Sequence, residues 1–127
     1  MDIKRDIESR DDIHSLLVEF YESVKQDPDI GIIFTEIVQM DWEHHIPLIT
    51  DFWETILFDK MVYKGNAMTP HFAIHKKFQL EEKHFEAWLR LFNKALDRFE
   101  GPRTELARNR ARSIASLMLF KMSKSTG

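Results

Sequence analysis

Phe85, Trp88, Leu89, Phe92, Leu96 and Phe99 return every three or four residues through the second half of this 127-residue chain. That spacing gathers the side chains on one face of an α-helix, whereas a strand would alternate them at every second residue. The same period recurs upstream. Apolar residues at 13, 16, 17, 20, 21 and 24 predict an amphipathic helix capped by Asp11 or Asp12 and ended by Asp27-Pro28-Asp29. Trp42, His45, Ile49, Phe52, Trp53 and Ile56 share one face of a second helix. Pro47 lacks an N–H and clashes with the carbonyl four residues back, so it must lie near that helix's first turn or kink it.

The stretch from Ile30 to Val38, broken by Gly31, reads as irregular or as one helical turn, and residues 59–68 with Gly65-Asn66 read as a loop. Thr69-Pro70 then offers an N-cap and a first-turn proline for a short helix. Gly101-Pro102 terminates the aromatic stripe. A last helix runs from about Arg103 to Met122, with Ala107, Ala111, Ile114 and Met118 inward and a basic outer face. Nothing alternates like a strand, repeats or falls into low complexity. The expectation is an all-α chain of five or six short helices in a bundle, forming a single domain over residues 1–127.

Ten Phe and three Trp are a large aromatic load, enough to line a cavity as well as fill a core. The net charge of −3 is spread through mixed signs, so no basic stripe suggests nucleic acid. The absence of cysteine excludes disulfides, thiolate ligation, iron–sulfur clusters and Cys-x-x-Cys-His cofactor attachment. No apolar run approaches the roughly 20 residues of a membrane span. The opening Met-Asp-Ile-Lys-Arg-Asp lacks a signal-peptide core, and the expected location is the cytoplasm.

Six histidines are a mild excess for this length. His14 falls on the polar side of the first helix and is expected in solvent. His71 and His75 are one helical turn apart and therefore neighbours. They can be an axial cofactor ligand, a two-histidine metal site or a partly buried surface pair, and no carboxylate is placed to complete a zinc site with them. Tyr21 lies among apolar residues, so its hydroxyl bonds either to a backbone carbonyl or into a ligand pocket. Trp88 poses the same choice with its indole N–H. His45 shares its face with Phe52 and Trp53, while His44 points elsewhere. Distributed over short helices, such aromatics, histidines and a phenol can enclose a flat, apolar, iron-bearing ring.

The order of these residues resembles the truncated haemoglobins, and within them group III, from roughly Ile13 to Met122. The resemblance rests on Phe20-Tyr21, Phe34 after a Gly-x-x-Phe turn, Trp42-x-x-His45 and Phe52-Trp53. Further on come Tyr63-x-Gly65-Asn66-x-Met68-x-x-His71, His84-Phe85-x-x-Trp88-Leu89-x-Leu91-Phe92 and an Arg-Ala-rich last helix. The paired-glycine motifs usual in groups I and II are missing, which points to group III.

The resemblance implies a two-over-two helical sandwich around non-covalent haem b. Tyr21, His45 and Trp88 would line the distal side, Phe34 and Phe85 would pack against the haem, and His71 would be the proximal ligand. His71 fits when counting forward from Phe52-Trp53, and His75 when counting back from Phe85 and Trp88, so both stand as candidates. Two distal donors would favour O2 over CO and slow its release, since a hydrogen bond to a charged acceptor is worth roughly 1.5–3 kcal/mol. That suits NO dioxygenase- or peroxidase-like chemistry, for which a separate reductase would supply electrons. A simple O2 carrier or sensor is the alternative, and a haem-free helical interaction or metal-binding module is a further one. A monomer or weak dimer is expected.

Overall fold

The computed structural model describes residues 4–33, 41–60 and 81–125, and the helices named here belong to those residues. They are α1 (Arg10–Gln26), α2 (Trp42–Phe58), α3 (Glu82–Leu96) and α4 (Pro102–Ser125), with no strand among the described residues. The short helix expected from Thr69 lies outside them.

The inward face of α1 is the one its spacing predicts: Ile13, Leu16, Leu17, Phe20, Tyr21 and Val24 are all buried. The cap differs from the expectation. Ser9, not Asp11 or Asp12, is the N-cap, and its side chain accepts from the Asp12 backbone N–H. Asp12 is drawn away by Arg5, whose guanidinium donates two bonds of 2.6 Å to its carboxylate. Asp27 ends α1 and its carboxylate accepts from the N–H groups of Asp29 and Ile30 at 2.8 and 3.1 Å. It also receives Arg90 of α3 at 3.0 Å, tying the end of one helix to the flank of another. Gly31 passes so close to this end that a Cβ would lie 2.7 Å from the Lys25 carbonyl oxygen.

Pro47 lies inside α2, in its second turn. It removes the N–H that the Glu43 carbonyl would accept, and Glu43 sits on the exposed side, where water can take the bond.

The aromatic stripe turns inward as expected, with Phe92 and Leu96 fully buried, but α3 stops at Leu96 rather than at Gly101-Pro102. Phe99 remains buried beyond the helix end. Gly101 has another purpose. It adopts φ +149°, and a Cβ there would fall 2.5 Å from Asp6 Cγ. The bare glycine lets the Asp6 carboxylate cap α4, accepting from the backbone N–H groups of Arg103 and Thr104 at 2.9 Å each. The Thr104 hydroxyl adds a third bond of 2.8 Å. A carboxylate at a helix N-terminus meets both the orphan donors and the positive end of the dipole.

α1 packs on α2 and α3, and α4 packs on α3 and α2. Along α4 the buried positions are Thr104, Ala107, Ala111, Ala115 and Met118. Their mostly small side chains allow α4 to lie close to its neighbours. At the centre, Phe92 holds its ring centroid 5.3 Å from Phe20, 5.0 Å from Trp53 and 5.5 Å from Trp88. Each such pair contributes roughly 0.5–1.5 kcal/mol beyond the area it buries.

Candidate functional site

The chemistry-bearing side chains gather where α1, the start of α2 and α3 meet. Phe20 and Tyr21 are adjacent on α1 and both are buried, their ring centroids 4.8 Å apart. Phe20 faces the aromatic core. Tyr21 turns towards α2, where its hydroxyl lies 2.9 Å from His45 Nε2. Sequence spacing left a backbone carbonyl and a ligand pocket as destinations for this phenol, and the bond found is to a side chain from another helix. Burial pushes the Tyr21 hydroxyl well above the ordinary phenol range, so it stays protonated at any physiological pH.

Asp41 sets the register of α2, its carbonyl accepting from the N–H groups of His44 and His45 at 3.2 and 2.9 Å. Consecutive helical positions diverge, so His45 turns inward, half-buried, while His44 is exposed. Trp42, one turn earlier, lies with its ring 5.0 Å from Tyr21 and 6.1 Å from His45. The Lys25 ammonium sits 4.7 Å over that ring.

Trp88 approaches from α3. It meets Phe20 edge-on at 5.9 Å and stacks on Phe92 at 5.5 Å with an interplanar angle of 3°. Phe20 thus stands between Tyr21 and Trp88. Among the described residues no acceptor is within hydrogen-bonding distance of the Trp88 indole, which can only donate. Phe85, one turn before it, is buried against Ala115 and Met118 of α4.

Half-buried apolar side chains on α2 and α3, among them Ile46, Ile49, Phe52, Ile56, Trp88 and Leu89, pack against the buried core. Ile49, Phe52 and Ile56 belong to the helical face expected of them. Uncharged rings and aliphatic side chains beside a phenol, an imidazole and an indole are side-chain types that suit a flat, largely apolar ring. Phe34, His71 and His75 lie outside the described residues. Among the described residues, no three His, Cys, Asp or Glu side chains converge as a metal site.

One histidine, noted in the sequence only as part of a motif, has a structural role of its own. His84 is buried at the start of α3, where it completes a reciprocal cap: the Glu81 side chain accepts from the His84 N–H, and His84 Nδ1 accepts from the Glu81 N–H at 2.8 Å. Burial, helped by the Lys83 charge, pulls the imidazole below its ordinary range against the opposing pull of Glu81 and Asp29. The signal was the three-residue spacing from Glu81 to His84, a capping box with histidine in place of the usual Glu or Gln.

The family model of the bacterial-like globins matches residues 6–122. Among curated proteins, the group 3 truncated haemoglobin ctb of Campylobacter jejuni is 29% identical over 92 residues, covering 70% of each chain. The crystal structure of a group III truncated haemoglobin from Campylobacter jejuni matches with a TM-score of 0.80 at 29% identity, over 98% of this chain and 99% of that one. The two-over-two helical arrangement implied by the sequence is the architecture of that match.

Proposed function

The chain belongs to the bacterial-like globin family, and on that footing we propose that it is a haem protein whose Tyr21, His45 and Trp88 face bound diatomic gases. The observation that carries this reading is the buried Tyr21 hydroxyl, 2.9 Å from His45 Nε2. With no cysteine in the chain, the cofactor is non-covalent haem b. Haem, when bound, would supply an iron able to take O2, NO or CO. In this reading His71 would hold it, with His75 as the alternative, and Phe34 and Phe85 would pack against it.

The protein's part is to place donors. Trp88 offers its N–H directly. Tyr21 offers its O–H when His45 carries the proton on Nε2 and donates to the phenolic oxygen. In the other tautomer His45 accepts the phenolic proton and withholds it. His45 therefore decides how many donors meet a gas ligand that gains negative charge. Such a pocket holds O2 for a second reactant better than it delivers O2 quickly, which favours NO or reactive-oxygen chemistry. Turnover then needs electrons from a separate reductase. Among the described residues no helix is long and apolar enough to cross a membrane, and the cytoplasm is the proposed location.

Hemin titrated into purified apoprotein is expected to give a stoichiometric Soret band and a b-type pyridine haemochrome. A protein that takes up none would end the reading. His71→Gly is expected to lose most haem affinity and to regain its ligand spectrum with imidazole, and the same behaviour in His75→Gly alone would reassign the ligand. Sustained NO consumption with a cellular reductase supports an enzyme, whereas a single stoichiometric burst supports a carrier or sensor.

A further inference from the structure

We propose that Tyr21 and His45 form a redox-active pair that exchanges single electrons with the protein surface through Trp42. Three distances carry this: 2.9 Å from the Tyr21 hydroxyl to His45 Nε2, 5.0 Å between the Tyr21 and Trp42 rings, and 4.7 Å from the Lys25 ammonium to Trp42.

A phenol that loses an electron becomes so strong an acid that it sheds its proton in the same event. Tyr21 is only 6% exposed, so the proton cannot go to bulk water and a cationic ring would be unsolvated there. His45 Nε2 is within direct transfer distance and accepts it when its ring proton resides on Nδ1. The step balances on protein groups and one external reactant. The electron leaves to a one-electron oxidant, the O–H bond of Tyr21 breaks, and an N–H bond forms on His45. A neutral phenoxyl radical and an imidazolium remain. The new positive charge rests on the half-buried imidazole rather than on the buried phenol. A one-electron donor reverses each movement.

Trp42 is the bridge to solvent, being half-buried at the start of α2 with its ring next to Tyr21. The Lys25 cation, itself paired with Glu22 at 3.1 Å, is attracted to the neutral indole face. It repels the same ring once oxidised. An electron hole therefore passes through Trp42 without settling there and comes to rest on Tyr21. Phe20, packed against Tyr21 at 4.8 Å, has an unsubstituted ring that is far harder to oxidise than Trp42. The relay uses protein groups alone and does not depend on the haem reading, so the two fail separately.

The test is laser flash-quench oxidation of the full-length protein by photogenerated tris(bipyridine)ruthenium(III), read by transient absorption and by freeze-quench electron paramagnetic resonance. A phenoxyl signal is expected in the parent protein, lost in Tyr21→Phe, and formed more slowly in D2O. His45→Leu is expected to cut its yield severalfold, and Trp42→Phe to slow its appearance severalfold, with unchanged circular dichroism in both. Lys25→Met is expected to let a tryptophanyl signal accumulate. The chain's other tyrosine is Tyr63. A phenoxyl signal that survives Tyr21→Phe, or one indifferent to both His45→Leu and D2O, would overturn the proposal.

Discussion

Phe20 and Tyr21 are neighbours on one helix, both buried, and they serve opposite sides of the molecule. On the Phe20 side the contacts are ring against ring: Phe92, Trp53 and Trp88 interlock at 5.0–5.9 Å, and the polar atoms among them are the indole N–H groups. On the Tyr21 side a single oxygen converts the same packing into a cross-helix hydrogen bond to a titratable imidazole. The first region fixes how α1, α2 and α3 assemble. The second spends little on assembly, since a hydrogen bond of this kind nets only about 0.5–1.5 kcal/mol, and it places chemistry between two helices. Stability and reactivity are thus separated by the width of one side chain, and substitutions on the two sides should have different signatures.

The largest effect is expected at the centre. Phe92→Ala removes the ring that three aromatic partners share and should cost about 3–5 kcal/mol in chemical denaturation. If it costs less than 1 kcal/mol, that aromatic cluster is not the organising core. Tyr21→Phe keeps the ring and should change stability by no more than about 1.5 kcal/mol. A larger loss would show that the polar side also holds the fold together.

A smaller cost falls on the charged clasp at α4. Asp6→Ala removes the carboxylate that accepts from Arg103 and Thr104 and should cost roughly 0.5–2 kcal/mol. Gly101→Ala should destabilise through the same contact, because the added methyl meets the Asp6 side chain and φ +149° suits no other residue.

The gentlest effects are those of pH. His84 is depressed from 6.5 in the fold, so it binds fewer protons there than in the unfolded chain, and its contribution is present above 6.5 and fades as pH falls below. Asp12 is held at about 2 against an ordinary 3.8, chiefly by the Arg5 bond. Its contribution is full above 3.8 and is lost between there and about 2. Melting temperature against pH should therefore sag slightly below 6.5 and steeply below 3.8. His84→Ala should remove the first inflection and Asp12→Asn should shrink the second; curves that superimpose on the parent would contradict both assignments.

The apolar side was the legible one. Helical period alone identified Phe20, Phe92, Trp53, Leu96 and the alanine face of α4, because burial of a wide apolar stripe leaves a repeat in the sequence. The polar side left weaker traces. Tyr21 and His45 were singled out, yet no spacing rule says that residues 24 apart will meet at 2.9 Å. Asp6 and His84 were assigned no role for the same reason. One caps a helix almost a hundred residues away, and the other wears a histidine where a capping box usually has a carboxylate or amide. Propensity pointed to Asp11 or Asp12 at the head of α1, and Arg5 decided otherwise by holding Asp12. Local pattern reports which residues are inside, whereas polar partnerships are settled by the packed chain.

The separation of the two sides is tested most directly by stopped-flow dissociation of O2 and CO from the haem-loaded parent, Tyr21→Phe, Trp88→Phe and Phe92→Leu. Loss of one donor to a charged acceptor should quicken O2 release by about 10- to 100-fold in the first two variants, from roughly 1.5–3 kcal/mol per bond. CO release should change far less, and Phe92→Leu should leave the ratio of the two rates near that of the parent. Equal acceleration of O2 and CO in Tyr21→Phe and Trp88→Phe would contradict the account, since it would mean that these side chains act by packing alone.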